Sequence, residues 1–282
     1  YVSFNAAPSK DDSVAIKDQV EKLLPAFKAS TNDSLFVQVN SETKTPIAFK
    51  RKGQLGDPKL DTVMFGAAKG FVYGPYLSQG SYKIAKLVDS RVSPDSVKAR
   101  HILIDASKVG EKNALATADS LKKLIEGGKS FADLAKMYSI DKASGEKGGD
   151  LGTFGRGAMV PVFEDAVFSG RKGELKIVTS QYGVHLVEIQ DLKGSSPVVK
   201  VAIVDKPVTA SAKTQQAAYA KAQAFLGDLT KDNFDAQAKK AGLTKKTAPD
   251  VNALTAALPG LDNTRELVRW AFAQQRPVSR PC

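Results

Sequence analysis

Apolar positions change their period along the chain, and each change marks an element. From Glu111 to Glu126 they recur at helical spacing, which places Leu115, Ala118, Leu121 and Ile125 on one face. The "EGG" that follows ends this helix. Ser130 is a good N-cap and opens a second helix with Leu134, Ala135 and Tyr138 turned inward. Arg100 to Asp105 alternates as a strand does, and "GDLGTF" is a strand bordered by glycine. Val162 to Phe168 reads as a short helix with Pro161 suited to its first turn. Ile177 to Ser180 and Val184 to Gln190 follow as two strands joined by a tight turn at Tyr182-Gly183. The opening "YVSFN" reads as a strand too. The fold class is therefore α+β, an antiparallel sheet with helices packed on it.

The pattern repeats. Asp61 to Asp89 and Glu164 to Asp191 align at a constant offset of 103, so that Phe65 meets Phe168, Lys69-Gly70 meets Lys172-Gly173 and Gly80 meets Gly183. Each stretch reads as a short helix, a Lys-Gly stop and two strands. A third copy is fainter. "VKVAIVD" from Val199 resembles "VKARHILID" from Val97, Phe234 aligns with Phe131, and "RELVRWAF" resembles "FEDAVF". Units are expected at 1–95, 96–193 and 197–282, with "DSRVSPDS" and "LKGSSPVV" as linkers and the third unit short of its closing strands.

Composition narrows the class. Of 282 residues, 42% are hydrophobic, enough to build cores for two or three domains. No apolar run approaches the ~18 residues that a membrane span needs. The chain reads as processed or excised, so a leader or anchor could have been removed. The one cysteine, Cys282, has no partner for an internal disulfide. Lysine and arginine outnumber acidic residues 41 to 30, a net charge of +11. The basic residues are scattered and no aromatic residues interleave with a basic stripe, so nucleic acid is not an expected partner.

The candidate chemistry sits in the middle unit. Both histidines of the chain, His101 and His185, fall there, each on an expected strand. Either alone fits a satisfied core residue. Together, beside the glycine-rich "GGDLGTFGRGAMVPVFEDAVF", they point to a site. Glycines at 148, 149, 152, 155 and 157 let the chain bend sharply and let other groups come close. Met159 and Phe163 stand four apart and can share a face. By themselves, Leu151, Phe154, Met159 and Phe163 could equally be ordinary core. Two histidines with Asp141 could hold zinc, but the other polar residues are not at ligand spacing, so no metal and no cofactor is expected.

"RHILI", "FADLAKMYSID", "GGDLGTFGRGAMVPVFEDAVF", "GEL" and "SQYGVHLVEI" resemble, in order and spacing, the parvulin family of peptidyl-prolyl cis/trans isomerases. The likeness covers Lys98 to Gln190. It implies tandem units, each a four-stranded antiparallel sheet surrounded by helices, with only 96–193 active. The multi-unit layout is similar to the periplasmic chaperone-isomerases of the peptidyl-prolyl isomerase D and survival-protein type. The resemblance implies a periplasmic location, with a tether left open, and unfolded or proline-containing polypeptides as partners. The oligomeric state stays open. It carries His101 and His185 onto the family's paired histidines, Asp141 onto a position held by aspartate or cysteine, and Ser180 onto a hydroxyl position. It places Leu151, Met159 and Phe163 around the proline ring, with Phe154 adjacent. Members selective for phosphorylated substrates carry an arginine pair after the first strand. Here that stretch is "DASKVGEKN", with lysines only, so no phosphate requirement is expected.

The expected function is noncovalent isomerisation of Xaa-Pro bonds during the folding of exported proteins. The alternative is a non-catalytic holdase or interaction scaffold built from the same units.

Overall fold

The computed structural model describes residues 1–230, 232–248, 251–252, 254–256, 258, 261 and 264–274. Cys282 lies outside the described residues. The elements, in chain order, are α1 Lys10–Ala29, α2 Asp33–Asn40, β1 Phe49–Arg51, α3 Pro58–Gly66, β2 Val72–Ser78, β3 Ser81–Ser93, β4 Ser96–Ile104, α4 Ala106–Val109, α5 Glu111–Glu126, α6 Phe131–Tyr138, α7 Lys142–Gly145, β5 Asp150–Phe154, α8 Pro161–Phe168, β6 Leu175–Ser180, β7 Gly183–Lys193, β8 Ser196–Pro207, α9 Ala212–Gly227, α10 Phe234–Lys240 and α11 Arg265–Gln274. Two compact units result: residues 13–208, and residues 1–12 with the described residues from 209 onward.

The larger unit holds two four-stranded antiparallel sheets, ordered β1-β8-β3-β2 and β5-β4-β7-β6. The 103-residue echo is structural. Helices α3 and α8 both start with proline at the first turn, Pro58 and Pro161. In each copy a lysine of the Lys-Gly stop faces an aspartate of the closing strand: Lys69–Asp89 at 3.9 Å and Lys172–Asp191 at 3.5 Å.

The strand from Val199 corrects the expected division. It does not open a separate third sheet. As part of β8 it pairs along β3, from Ser81↔Pro207 to Ser93↔Ser196, and on its other edge with β1. The first stretch has no strand of its own in the place that β4 takes in the second sheet, and β8 supplies it. The second sheet is thus inserted between β3 and β8 of the first. Hydrophobic periodicity finds a strand but says nothing about which distant edge it will close.

Strand parity builds the core of the second sheet. Ile102, Ile104, Val184 and Leu186 point to one face, against Ala114, Ala118 and Leu121 of α5 and Phe131 and Ala135 of α6. Val97, Ala99, Val187 and Ile189 point to the other, against Phe163, Val167 and Phe168 of α8. Helix α5 has the expected limits, but Ala114 takes the inward position and Leu115 is exposed. On α6, Tyr138 is exposed rather than inward. Both residues sit at the margin of an apolar stripe, where the packing of the helix on its neighbours decides which flank is covered.

The smaller unit contains "YVSFN", which forms no strand. Instead Tyr1 exchanges two 2.8 Å backbone hydrogen bonds with Lys246, and Phe4 meets Phe225 edge-on at 5.5 Å. Ser9 and Asp12 cap reciprocally, Ser9 N–H to Asp12 Oδ2 at 2.8 Å and Asp12 N–H to Ser9 Oγ at 3.1 Å. No helix among the described residues is long and apolar enough to cross a membrane.

Candidate active site

His101 shares the parity of Ala99 on β4, and His185 that of Val187 on β7. Both side chains therefore fall on the face of the second sheet that α8 covers. The adjacent pairs His101↔Val187 and Leu103↔His185 bring the two rings side by side. Their centroids are 5.3 Å apart and their Nδ1 atoms 3.1 Å apart. Phe163 stands edge-on to both, 6.0 Å from His101 and 5.3 Å from His185.

Asp141 arrives from the α6–α7 junction. The Ile140 N–H donates to the Leu103 carbonyl at 2.8 Å, and the Leu103 N–H donates to Ser139 Oγ at 3.1 Å, which docks this junction on β4. Asp141 then serves two purposes. Its Oδ1 caps α7 by accepting from the Ala143 N–H at 3.1 Å, while Oδ2 lies 3.0 Å from His101 Nε2. Ser144 also donates to Oδ2, at 2.7 Å, and lies 3.1 Å from His101 Nε2.

These contacts set the proton positions. A carboxylate only accepts, so His101 carries its proton on Nε2 and leaves Nδ1 bare. His185 must then donate from Nδ1, which leaves its Nε2 as the acceptor of the Ser180 hydroxyl at 2.7 Å. The Ser180 oxygen in turn accepts the Tyr182 N–H at 3.1 Å. Every proton in the run from Ser180 through His185 and His101 points toward Asp141. Each ring nitrogen is engaged.

The electrostatics agree with neutral rings. Burial pushes His101 below its ordinary value, opposed by the Asp141 hydrogen bond and charge. Burial, with the neighbouring His101, takes His185 down to about 4. The Ser144 hydroxyl and His101 hold Asp141 below the usual carboxylate range.

The apolar candidates divide. Leu151 on β5 and Met159 before α8 are half-buried and pack on the cluster that contains Phe163. Phe163 and Phe154 are buried, at 2% and 9% exposure, with ring centroids 6.3 Å apart. Met159 precedes α8, so it shares a core with Phe163 but not a helical face. Its N–H is held instead by Glu164, whose buried Oε1 accepts from Gly157 N at 2.6 Å and Met159 N at 2.9 Å. Gly149 shows what the glycines do. It has φ +85°, its carbonyl accepts the His101 N–H at 2.8 Å, and an added Cβ would collide with the His101 carbonyl oxygen.

Ser144, Ser139 and Glu164 escaped sequence reading. Ser144 had a signal, the three-residue spacing from a helix-capping aspartate. Glu164 had none, because its partners are backbone amides.

Residues 82–193 match the profile of the PPIC-type PPIASE domain. The solution structure of NmPin, the parvuline of Nitrosopumilus maritimus, is 37% identical and aligns over 34% of this chain and 97% of that one, at a TM-score of 0.29. Residues 82–193 of this chain are a PPIC-type, parvulin domain. The chain is 41% identical over 124 residues to foldase protein PrsA 1 of Bacillus cereus, covering 44% of this chain and 41% of that protein. It is 30% identical over 204 residues to chaperone SurA of Pseudoalteromonas atlantica, covering 67% of this chain and 47% of that protein. The chain thus spans under half the length of these relatives. The long match to SurA exceeds the length of one parvulin domain.

Proposed function

We propose that this chain is a peptidyl-prolyl cis/trans isomerase that assists the folding of exported proteins in the periplasm, and that catalysis is noncovalent. The observation that carries the reading is the buried, neutral pair His101–His185 beneath the apolar group of Leu151, Met159 and Phe163. Rotation about an Xaa-Pro amide must overcome a barrier of about 18–20 kcal/mol because planarity carries resonance. No bond to carbon need form. The site has to favour the twisted amide over both planar ones, and each ~1.4 kcal/mol of preference gives tenfold in rate.

Each residue has a part in this reading. Met159 and Leu151 contact the proline ring, with Phe163 as the buried floor and Phe154 supporting it from the core. His101 and His185 form a stiff polar plate below. Asp141 and Ser180 hold the two ends of that plate in one tautomer. A neutral plate suits an amide whose polarity changes during rotation but which never carries full charge. With all four ring nitrogens bonded, neither imidazole is free to act as a base or nucleophile.

A second reading rests on a separate observation. The smaller unit has a cavity of about 800 Å³ whose lining includes Phe4, Ala217, Phe225 and Leu243 together with Lys213 and Lys221. It supports a holdase function alongside isomerisation, with unfolded chain as the occupant. One experiment separates the two. Cis/trans exchange of an Xaa-Pro peptide is followed by NMR, and suppression of client aggregation by light scattering, for the parent chain, His185→Ala and Met159→Ala. Loss of exchange with aggregation suppression kept supports both activities. No exchange in the parent chain rejects the isomerase.

A further inference from the structure

The loop that carries Met159 is anchored outside its own sheet. It runs from Gly155 to Val160, between β5 and α8. On the inner side Glu164 holds the Gly157 and Met159 amides. On the outer side Arg156 reaches across to the first sheet. Its side chain is 1% exposed. Nη2 donates to Ser93 Oγ at the end of β3 at 3.0 Å, and Nη1 lies 3.4 Å from Asp165 Oδ1. The guanidinium stacks over Phe168 at 4.4 Å and over Phe49 of β1 at 5.1 Å.

Phe49 collects two more cations, both from the first sheet: Arg91 of β3 at 3.9 Å and Lys200 of β8 at 4.5 Å. The same two reach across to α8. Lys200 Nζ donates to Asp165 Oδ2 at 2.6 Å, and Arg91 lies 3.8 Å from Asp165 Oδ1. One ring and one carboxylate therefore tie three cations from β3, β8 and the loop into a single joint. Cation–π contacts strengthen when water is excluded, and Phe49 is 4% exposed. The two segments that carry Met159 and Phe163 are the ones so fastened.

We propose that the first sheet, which has no histidine pair, is a strut for the proline pocket, and that Arg156 and Phe49 are positioning residues that set Met159 against the substrate ring. This rests on the isomerase reading above. It gives the inserted layout a mechanical use: β8 returns after the inserted domain to close the sheet that braces the domain's own pocket.

The test uses the full chain. Arg156→Met and Phe49→Leu keep apolar bulk and remove the stacked cation or the ring. Each is expected to raise KM and lower kcat/KM about fivefold for an Xaa-Pro peptide while leaving kcat near the parent value. The double variant should lose no more than one of them, because both cut the same joint. Amide hydrogen exchange at Gly157 and Met159 should quicken in both. Arg156→Lys, which keeps a cation over Phe49, should recover part of the affinity. If either variant fails to fold, Lys200→Met cuts the joint from its half-buried side and should shift KM and exchange in the same direction. Lower melting temperature with KM and exchange unchanged would overturn the proposal. A parent chain without isomerisation rejects the functional reading instead, and the exchange data then decide alone whether the first sheet braces the loop.

Discussion

The Nδ1 atoms of His101 and His185 lie 3.1 Å apart, although 84 residues separate them in the chain. Two nitrogens can share one proton only if one ring donates and the other accepts. The direction is decided at the far ends, by a carboxylate on one side and a serine hydroxyl on the other. The pair is thus a wire with a sense, set from its two ends.

Acid should dismantle the pair. Both folded-state values are lowered, His185 to about 4 from an ordinary 6.5. The unfolded chain therefore takes up protons first as pH falls. Stability is unaffected by these rings above 6.5 and declines below it; for His185 the loss continues toward about 4, at up to about 1.4 kcal/mol per pH unit. Isomerisation should be flat between neutral pH and 6.5. The ¹H–¹³C NMR titration of His185 should show no inflection near 6.5, and one there would show that the ring is not held neutral.

Cutting the wire at its ends should be graded. Asp141→Asn replaces an acceptor-only group with one that also donates, and it removes the charge that orients His101. Ser180→Ala removes one neutral hydrogen bond at a half-buried position. We expect kcat/KM to fall at least about tenfold for Asp141→Asn and about threefold for Ser180→Ala, in line with charged and neutral hydrogen bonds of ~1.5–3 and ~0.5–1.5 kcal/mol. Equal losses would argue against a run of protons anchored at Asp141.

Met159 and Phe163 should separate affinity from stability. Met159 is half-buried, so Met159→Ala is expected to weaken peptide binding with little change in melting. Phe163 is 2% exposed and touches both imidazoles, so Phe163→Ala should cost about 3–5 kcal/mol of stability. Denaturant unfolding and peptide titration of the two variants make the comparison.

A phosphoserine-proline peptide should be turned over no faster than its unphosphorylated counterpart. The stretch after β4 offers Lys108, already 3.6 Å from Asp105, and Lys112, but no arginine fork for a phosphate. A strong preference for the phosphorylated peptide in NMR exchange would refute this.

The first sheet has its own weak point in Lys86, 6% exposed. Its ammonium bonds the Phe27 and Ser30 carbonyls at 3.2 and 2.7 Å and Asp33 at 2.9 Å. Lys86→Met should destabilise by about 3 kcal/mol, because it leaves a charge and two carbonyls unmatched. Turnover per folded molecule should not change. Melting curves and kinetics below the transition test this.

Much of the site was readable before folding. Residue type singled out His101 and His185, each on an expected strand, whereas Asp141 and Ser180 were pointed to by the family resemblance alone. Helix α5 was bounded by its own stripe and by glycine. Ser144 was missed because a serine near a helix start has a local explanation already. Leu115 and Tyr138 were misplaced because a stripe edge does not reveal how far its cover extends.

Local pattern determined the main elements of the second sheet and the 103-residue echo, because propensity, capping and periodicity act over a few residues. Tertiary structure alone decided that β8 closes the first sheet around the inserted domain, that the imidazoles meet Nδ1 to Nδ1, and that Arg156 finds Phe49. Those outcomes depend on strand pairing and side-chain contacts between distant segments, whose energies are set by which surfaces meet and carry no mark at either end of the sequence.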